Sequence, residues 1–158
     1  MGRCSCPPRW EYSEALENVT SKKRADGQMS GLAGEFFVAA ELLKRDIQTS
    51  VTFGNAKAID LLAHNAETCT SYTIQVKALR ANNYFLLDPR KLVADHVYVF
   101  LLLNGSGQHV RYFIVPGSEL IEHPDRFGRG FRDPKLPGIL PRDLADFEDN
   151  WAVFGCPR

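Results

Sequence analysis

Residues 58–79 read AIDLLAHNAETCTSYTIQVKAL. Two apolar runs in this stretch, Ala58–Ala63 and Tyr72–Leu79, flank a polar turn at Asn65–Ser71. Both runs are rich in the Ile, Leu, Val and Tyr residues that suit a pleated, half-buried surface. The pattern therefore predicts a β-hairpin, and the rest of the chain is interpreted around it.

Three polar side chains interrupt the apolar character of this predicted hairpin. Gln75 and Lys77 are two residues apart, so on a strand they point to the same face. Asp60 lies on the partner strand and is within reach of that face if the register is right. A carboxylate, an amide oxygen and an ammonium group that converge at a sheet surface would make a site for a hard cation and a phosphate.

A long amphipathic helix is predicted before the hairpin, from Met29 to about Arg45. The residues of its apolar stripe are Leu32, Phe36, Ala39 or Ala40, and Leu43. This spacing is that of one helix face, and Ser30 is the expected N-cap. Glu35 borders the buried stripe rather than the solvent-facing side, which makes it unusual among the acidic residues of the helix.

The remaining elements complete one domain. Short strands are predicted at Gln48–Phe53, His96–Leu103 and Val110–Val115, a short helix at residues 116–121 and a terminal helix at Pro141–Asp149. The prolines and glycines of residues 123–141 exclude long regular structure there. We therefore expect an α+β fold, in which a mixed central sheet of about five strands is flanked by helices in three α/β/α layers. Residues 1–28, with a short helix at Trp10–Thr20, precede a single domain at residues 29–158.

Composition limits the classes of function. Of the 158 residues, 44% are hydrophobic and 24% are charged, which is typical of a folded protein. The charges of the 19 basic and 19 acidic residues cancel, which gives a net charge of zero. A nucleic acid partner would therefore be bound by a local patch of basic residues rather than attracted by the net charge of the protein. The sequence has no apolar signal-peptide core and no apolar stretch of membrane length, so we expect no membrane partner and a cytoplasmic protein.

Two groups of basic residues are candidates for nucleic acid contacts. The densest basic run in the chain consists of Lys22, Lys23 and Arg24. A second group recurs every third residue: Arg126, Arg129 and Arg132. The first group is either a solvated loop or a phosphate-contacting edge. The second either binds a nucleic acid backbone, with neighbouring Phe residues that stack on bases, or wraps the core.

The order of the polar residues resembles the motif of the PD-(D/E)xK nuclease superfamily, in the small form related to Holliday junction resolvases and restriction endonucleases. That motif has a Glu on the first core helix, an Asp at a hairpin strand, and Asp, Glu or Gln two residues before a Lys on the partner strand. The matching residues are Glu35 in GEFFVAAELLKRD, Asp60 in AIDLLA, and Gln75 and Lys77 in IQVKA. The resemblance covers roughly residues 29–120, with Gln75 in place of the motif's acidic residue.

This resemblance implies a metal-dependent DNA endonuclease that uses Mg²⁺ or Mn²⁺. Asp60, the side-chain oxygen of Gln75 and the carbonyl oxygen of Val76 would bind the ion, and Lys77 would position the attacking water. Glu35 would support these ligands or hold a second ion through water. Because duplex cleavage needs two sites, a homodimer or higher homo-oligomer is expected.

The residues alone leave alternatives open. Asp60 and Lys77 could form a cross-strand salt bridge, and Gln75 and Lys77 could lie on the solvent face of a half-exposed strand. The chain could also be a catalytically weak or inactive nuclease-fold protein that binds nucleic acid, or an unrelated α+β domain. Other chemistries lack their motifs, because the sequence has no nucleophile elbow, no Walker glycine loop and no shared ligand spacing among its four histidines.

Overall fold

The computed structural model describes residues 23–52 and 59–156. The predicted helix at Trp10–Thr20 and the basic residue Lys22 lie outside these ranges. Residues 53–58, which join the first two strands, also lie outside them.

Two α-helices and seven strands form the regular structure of the described ranges. In chain order they are α1 (Lys23–Leu43), β1 (Gln48–Val51), β2 (Leu61–Asn65), β3 (Thr70–Leu79), β4 (Phe85–Leu86), β5 (His96–Leu102), β6 (Arg111–Pro116), α2 (Gly117–Glu122) and β7 (Gly138–Ile139). Neither of these helices has the length and apolar content needed to span a bilayer.

The main sheet has five strands in the order β1-β2-β3-β5-β6. Strands β3 and β5 are parallel, and the other neighbours are antiparallel. Strands β4 and β7 pair in a small second sheet. The prediction of an α+β fold with a mixed five-stranded sheet is therefore confirmed.

The hairpin predicted at residues 58–79 forms from β2 and β3. The two strands are antiparallel, with Leu61 opposite Ile74. Asn65 closes the turn, since its side-chain oxygen accepts hydrogen bonds from two backbone N–H groups of the turn at 2.9 and 3.3 Å. Its amide nitrogen donates to the Phe154 carbonyl at 2.8 Å. Phe154 and Trp151 are buried in the core on the α1 side of the sheet, so the end of the described chain closes this layer.

Helix α1 begins at Lys23, ahead of the start that the sequence predicts at Met29. The N-cap prediction for Ser30 is wrong, because this residue lies inside the helix and is buried. Its hydroxyl accepts a hydrogen bond from Arg80 Nε at 2.8 Å, which links the helix to the chain just after β3. The predicted domain start at residue 29 accordingly falls within α1.

The side of α1 that packs on the sheet is not the predicted one. The buried apolar residues of the helix are Val38, Ala39 and Leu42. The predicted stripe residues that are exposed are Leu32, Phe36 and Leu43. Both sides of the helix are apolar, so periodicity alone does not determine which one packs. Gly34 does, because an added Cβ there would lie 2.6 Å from Ala78 Cβ, and only glycine permits this close approach to β3.

The opposite face of the sheet is covered by α2 and by short 3₁₀ segments. These segments are Pro124–Phe127, Arg129–Arg132 and Pro141–Phe147. Phe127, Phe131 and Phe147 pack in one apolar cluster with Phe100 of the sheet. The terminal helix predicted at Pro141–Asp149 is therefore a 3₁₀ segment, and it ends before Asp149, whose φ of 51° is left-handed.

Gly34→Ala is expected to lower the free energy of unfolding by about 1–3 kcal/mol, because the new Cβ overpacks the contact between α1 and β3. Urea unfolding measures this change. Gly31→Ala is the matched control on the same helix. Apart from its chain neighbours and the backbone of its own helix, no described atom lies within 4 Å of its added Cβ, so that variant should gain up to about 1 kcal/mol from helix propensity. Equal effects of the two substitutions would contradict the packing of Gly34.

Candidate active site

Asp60 immediately precedes β2, and its backbone is held from two sides. Its carbonyl accepts a hydrogen bond from the Thr52 N–H at 2.9 Å, on the β1 side, while its own N–H donates to the Ile74 carbonyl at 3.0 Å, on the β3 side. In a regular antiparallel strand, the N–H and C=O of one residue point to the same neighbour. The backbone is therefore turned at Asp60. As a result, the Asp60 side chain does not follow the regular alternation of strand side chains between the two faces of the sheet.

The Asp60 carboxylate is hydrogen-bonded to the backbone of β3. Its Oδ2 accepts from the Val76 N–H at 2.6 Å. Regular pairing of β2 with β3 begins only at Leu61 and Ile74, so the carboxylate takes the place that a main-chain carbonyl of β2 would occupy beside Val76. The carboxylate thus lies at the edge of β3, close to the plane of the sheet.

Gln75 and Lys77 lie on either side of Val76 in β3. Ile74 and Val76 are buried on the α1 side, so alternation places the two polar side chains on the other face of the sheet. Both are partly exposed. No carboxylate of the described residues lies within 4.0 Å of the Lys77 ammonium. The cross-strand salt bridge between Asp60 and Lys77 therefore does not form.

The Val76 carbonyl points towards the same edge of β3 as the Asp60 carboxylate. Successive residues of a strand direct their backbone groups to alternate neighbours. The Leu79 carbonyl accepts from the Leu103 N–H at 2.7 Å, on the β5 side, so Val76 directs its backbone groups to the β2 side. Val76 thus presents a carbonyl oxygen on the side where its N–H binds the carboxylate.

Glu35 approaches this edge from α1. The preceding residue, Gly34, contacts Val76 and Ala78 of β3, which fixes the height of the helix above the strand. Burial raises the pKa of the Glu35 carboxyl, and the negative charge of Asp60 raises it further. The Glu35 carboxyl therefore lies within electrostatic range of the Asp60 carboxylate.

The candidate active site therefore surrounds Val76 at one edge of β3. Glu35 comes from the α1 side, Asp60 lies near the plane of the sheet, and Gln75 and Lys77 come from the other face. The oxygen donors are a carboxylate, an amide and a backbone carbonyl, which fit a hard cation such as Mg²⁺. Nowhere in the described ranges do three or more His, Cys, Asp or Glu side chains form a group suited to a metal, so an ion here would depend on this mixed donor set.

The basic run near the start of α1 is helical where the structure describes it. Lys23 and Arg24 belong to the first turn of the helix, whereas the sequence predicts a connecting loop. That loop prediction is wrong for these two residues, because α1 extends further than its apolar periodicity indicates. Their contact with nucleic acid stays a prediction.

Two of the three arginines in the second basic group are engaged in ion pairs. Arg126 contacts two carboxylates, at 2.8 and 3.5 Å, and lies over an aromatic ring. Arg132 pairs with Asp125. Arg129 is exposed and has no ion pair with any residue in the described ranges. Of this group, Arg129 is consequently the best placed to contact a phosphate.

A cleft of about 550 Å³ lies between the 3₁₀ segments and the chain after β4. Its basic lining residues are Arg90, Arg132 and Lys135. None of the lining residues belongs to the candidate active site, and Arg90 is already paired with Asp88 at 2.9 Å. The candidate site is instead a partly exposed strand edge, which suits an extended substrate better than a small enclosed one.

Thr52 and Gly34 are positioning residues whose importance the sequence does not reveal. Thr52 holds the residues before β2 with both its N–H and its hydroxyl, which donates to the Ile59 carbonyl at 2.5 Å. Threonine is common in strands, and a glycine inside a helix pattern normally indicates only a weaker helix. A glycine inside an apolar helix can mark close packing, but Gly31 of the same helix has open space around it, so the sequence does not single out Gly34.

A comparison with solved structures finds a similar fold. One similar structure is that of Hjc, a Holliday junction resolvase from the archaeal hyperthermophile Archaeoglobus fulgidus. The match has a TM-score of 0.54 and 18% sequence identity, and it covers 81% of this chain and 98% of the resolvase chain. The chain has a restriction endonuclease-like fold. No family model matches the sequence, and a search of curated proteins finds no significant match.

The raised pKa of Glu35 predicts a stability penalty at neutral pH. Folding favours the protonated carboxyl, so stability is lost as the pH rises through the raised pKa. Glu35→Gln removes the charge and should therefore be more stable than wild type at neutral pH. The difference should vanish as the pH falls below the ordinary glutamate pKa of 4.5. Urea unfolding across this pH range measures it.

Glu41→Gln on the same helix is the control with the opposite sign. The hydrogen bond from Arg45 lowers the pKa of the Glu41 carboxyl, so the stabilisation from the charged form is present above the ordinary pKa and lost as the pH falls. Glu41→Gln should accordingly be less stable than wild type at neutral pH. If Glu35→Gln lost stability in the same way, the Glu35 carboxylate would be stabilised by the fold rather than opposed by it.

Proposed function

We propose that this protein is a divalent-metal-dependent DNA endonuclease of the PD-(D/E)xK type. The observation that carries the proposal is the hydrogen bond from the Val76 N–H to the Asp60 carboxylate. It joins the motif aspartate to the centre of the Gln75-x-Lys77 segment, which is the proximity that the motif requires. The restriction endonuclease-like fold supports the same conclusion, because it supplies the helix and hairpin on which the motif residues are expected.

Asp60, Gln75 and the Val76 carbonyl are the proposed ligands for Mg²⁺ or Mn²⁺. All three present hard oxygen donors, and such ions keep several waters in addition to a few protein ligands. When bound, the ion supplies a Lewis acid that offsets negative charge on the phosphoryl oxygens. The raised pKa of Glu35 supports this assignment, since a cation would relieve the repulsion between two neighbouring carboxylates.

Lys77 and Glu35 are proposed to act on water and phosphate. The Lys77 ammonium has no carboxylate within 4.0 Å among the residues of the described chain. Its N–H donors are therefore available to orient a water molecule or a phosphate oxygen. Glu35 lies on the α1 side of the edge, and its raised pKa makes it a better proton acceptor than an ordinary carboxylate.

DNA is the proposed substrate, and a four-way junction is the first form to test. The resolvase of similar fold is named for Holliday junctions, and a partly exposed strand edge is accessible to a continuous backbone. Phosphate contacts outside the site are proposed for Arg129 and for the run at Lys22, Lys23 and Arg24. Net charge is zero, so binding would depend on such local contacts and should weaken with salt.

Nucleic acid binding with little or no cleavage is the second candidate function. Gln75 favours it, because an amide in place of a carboxylate removes one negative charge from the proposed ligand set. A lower metal affinity would reduce cleavage without removing the DNA-binding surface. The cleavage experiment below separates the two functions.

We further propose that two or more copies act together in the cytoplasm. The described chain contains one candidate active site, whereas cutting both strands of a duplex or both arms of a junction requires two. The proposed assembly is a homodimer or a higher homo-oligomer.

Calorimetric titration with Mn²⁺ tests the proposed ligands. Asp60→Asn keeps an oxygen that can accept from the Val76 N–H but loses the charge, so the affinity should fall by roughly tenfold or more. Gln75→Glu should retain or raise the affinity. Asp95→Asn alters an exposed aspartate outside the site and should titrate like wild type. Unchanged binding in Asp60→Asn would remove Asp60 from the ligand set.

Incubation of a four-way DNA junction and a supercoiled plasmid with Mg²⁺ tests cleavage. Lys77→Ala should lower the rate by roughly 10²–10⁴-fold, because it removes the group that orients the water. Lys44→Ala, which alters an exposed lysine just after α1, should cleave at the wild-type rate. A gel-shift assay follows junction binding in parallel. Wild-type binding without cleavage would replace the first candidate function with the second.

A further inference from the structure

A groove of about 360 Å³ lies between helix α1, the chain that follows β3, and the turn between β5 and β6. Ala33 and Phe37 form its helix wall, and residues 103–108 form most of its turn wall. None of the described residues that line the groove is acidic, and Arg80 is the one charged residue among them. The charge of this groove is therefore suited to an anion.

Arg80 is held at this groove by a serine of α1. Its Nε–H donates to the Ser30 hydroxyl at 2.8 Å, and Ser30 is only 6% exposed. This contact leaves the N–H groups of both terminal guanidinium nitrogens for another acceptor. No carboxylate of the described residues lies within 4.0 Å of the Arg80 guanidinium. The side chain is thus positioned without its charge being neutralised.

We propose that this groove binds one unpaired nucleotide of the DNA strand that passes through the candidate active site. Arg80 contacts the phosphate, because the two terminal nitrogens of an arginine match two phosphate oxygens. Phe37 is 44% exposed at the same groove, and an exposed aromatic ring provides a surface on which a base stacks. This inference rests on the proposed function, since it takes DNA as the substrate.

The groove is within reach of the same DNA strand as the candidate active site. Arg80 follows Lys77 by three positions, which in extended chain is roughly 10 Å of backbone and about three base steps of a DNA strand. In the described ranges, β2 pairs with no residue of β3 beyond Ile74. The β2-facing edge of β3 is therefore open from Val76 onwards, and a strand bound there extends towards Arg80.

Fluorescence anisotropy with labelled DNA in EDTA tests the proposal, because it measures binding without cleavage. The probes are a duplex with a single-stranded tail and the blunt duplex of the same sequence. Arg80→Gln should weaken binding of the tailed duplex by roughly fivefold to tenfold. It should also make the slope of log K against log salt less steep by about 0.7, the value for one phosphate contact to a single strand. Arg90→Gln, the same change at an exposed arginine outside the groove, should bind like wild type.

Two further variants separate positioning and stacking from charge. Ser30→Ala keeps the arginine charge but removes its acceptor, so it should weaken binding by about twofold to fivefold and leave the salt slope unchanged. Phe37→Leu keeps an apolar side chain without the ring, so it should weaken binding of the tailed duplex and not that of the blunt duplex. Urea unfolding of each variant shows whether the fold is retained.

Wild-type affinity and salt slope in Arg80→Gln would overturn the inference. Equal losses on the tailed and blunt duplexes would overturn the assignment to an unpaired nucleotide. Deoxyadenosine monophosphate that bound as tightly as the tailed duplex would make the groove a mononucleotide site. A protein that binds the tailed duplex through Arg80 but cuts no DNA in Mg²⁺ would keep this inference and lose the proposed nuclease activity. Cleavage with unaltered binding in Arg80→Gln would do the reverse.

Discussion

The hydrogen bond from the Val76 N–H to the Asp60 carboxylate links the central sheet to the candidate active site. Backbone N–H groups inside a fold must be paired, and here a side chain provides the acceptor that a neighbouring strand would normally provide. The chain before β2 is thereby free to turn away from β3. The contact also holds the carboxylate in place. One hydrogen bond therefore satisfies the Val76 N–H of β3 and positions Asp60, the proposed metal ligand.

The hairpin and the five-stranded sheet follow from the sequence because apolar runs of strand length, separated by polar turns, leave few alternatives. The same pattern places Gln75 and Lys77 on one face, since strand alternation has a period of two. The position of the Asp60 side chain does not follow from the sequence. Its turned backbone depends on bonds to Thr52 and Ile74, and no local pattern in the sequence encodes contacts between residues on separate strands.

Helix α1 shows why periodicity failed to identify its buried side. The helix contacts the sheet through Gly34, Val38 and Leu42, while Phe36 and its neighbours on the other side are equally apolar in sequence. The side that carries Gly34 packs on the sheet because only a glycine leaves room for the close approach to β3. Hydrophobicity alone does not distinguish the two sides. The same approach places Glu35 within electrostatic range of Asp60, so the close packing of Gly34 contributes to the raised pKa of the Glu35 carboxyl.

The bond between the Asn65 side chain and the Phe154 carbonyl bears on how the protein is made. The two residues are separated by 89 positions, which a ribosome adds in roughly 5 to 20 seconds. Trp151 and Phe154 belong to the same core cluster as Ile74 of the hairpin. During translation, the apolar face of β2 and β3 therefore stays uncovered until Trp151 and Phe154 have been synthesised. Until they emerge, the nascent chain exposes a surface of the kind that chaperones bind.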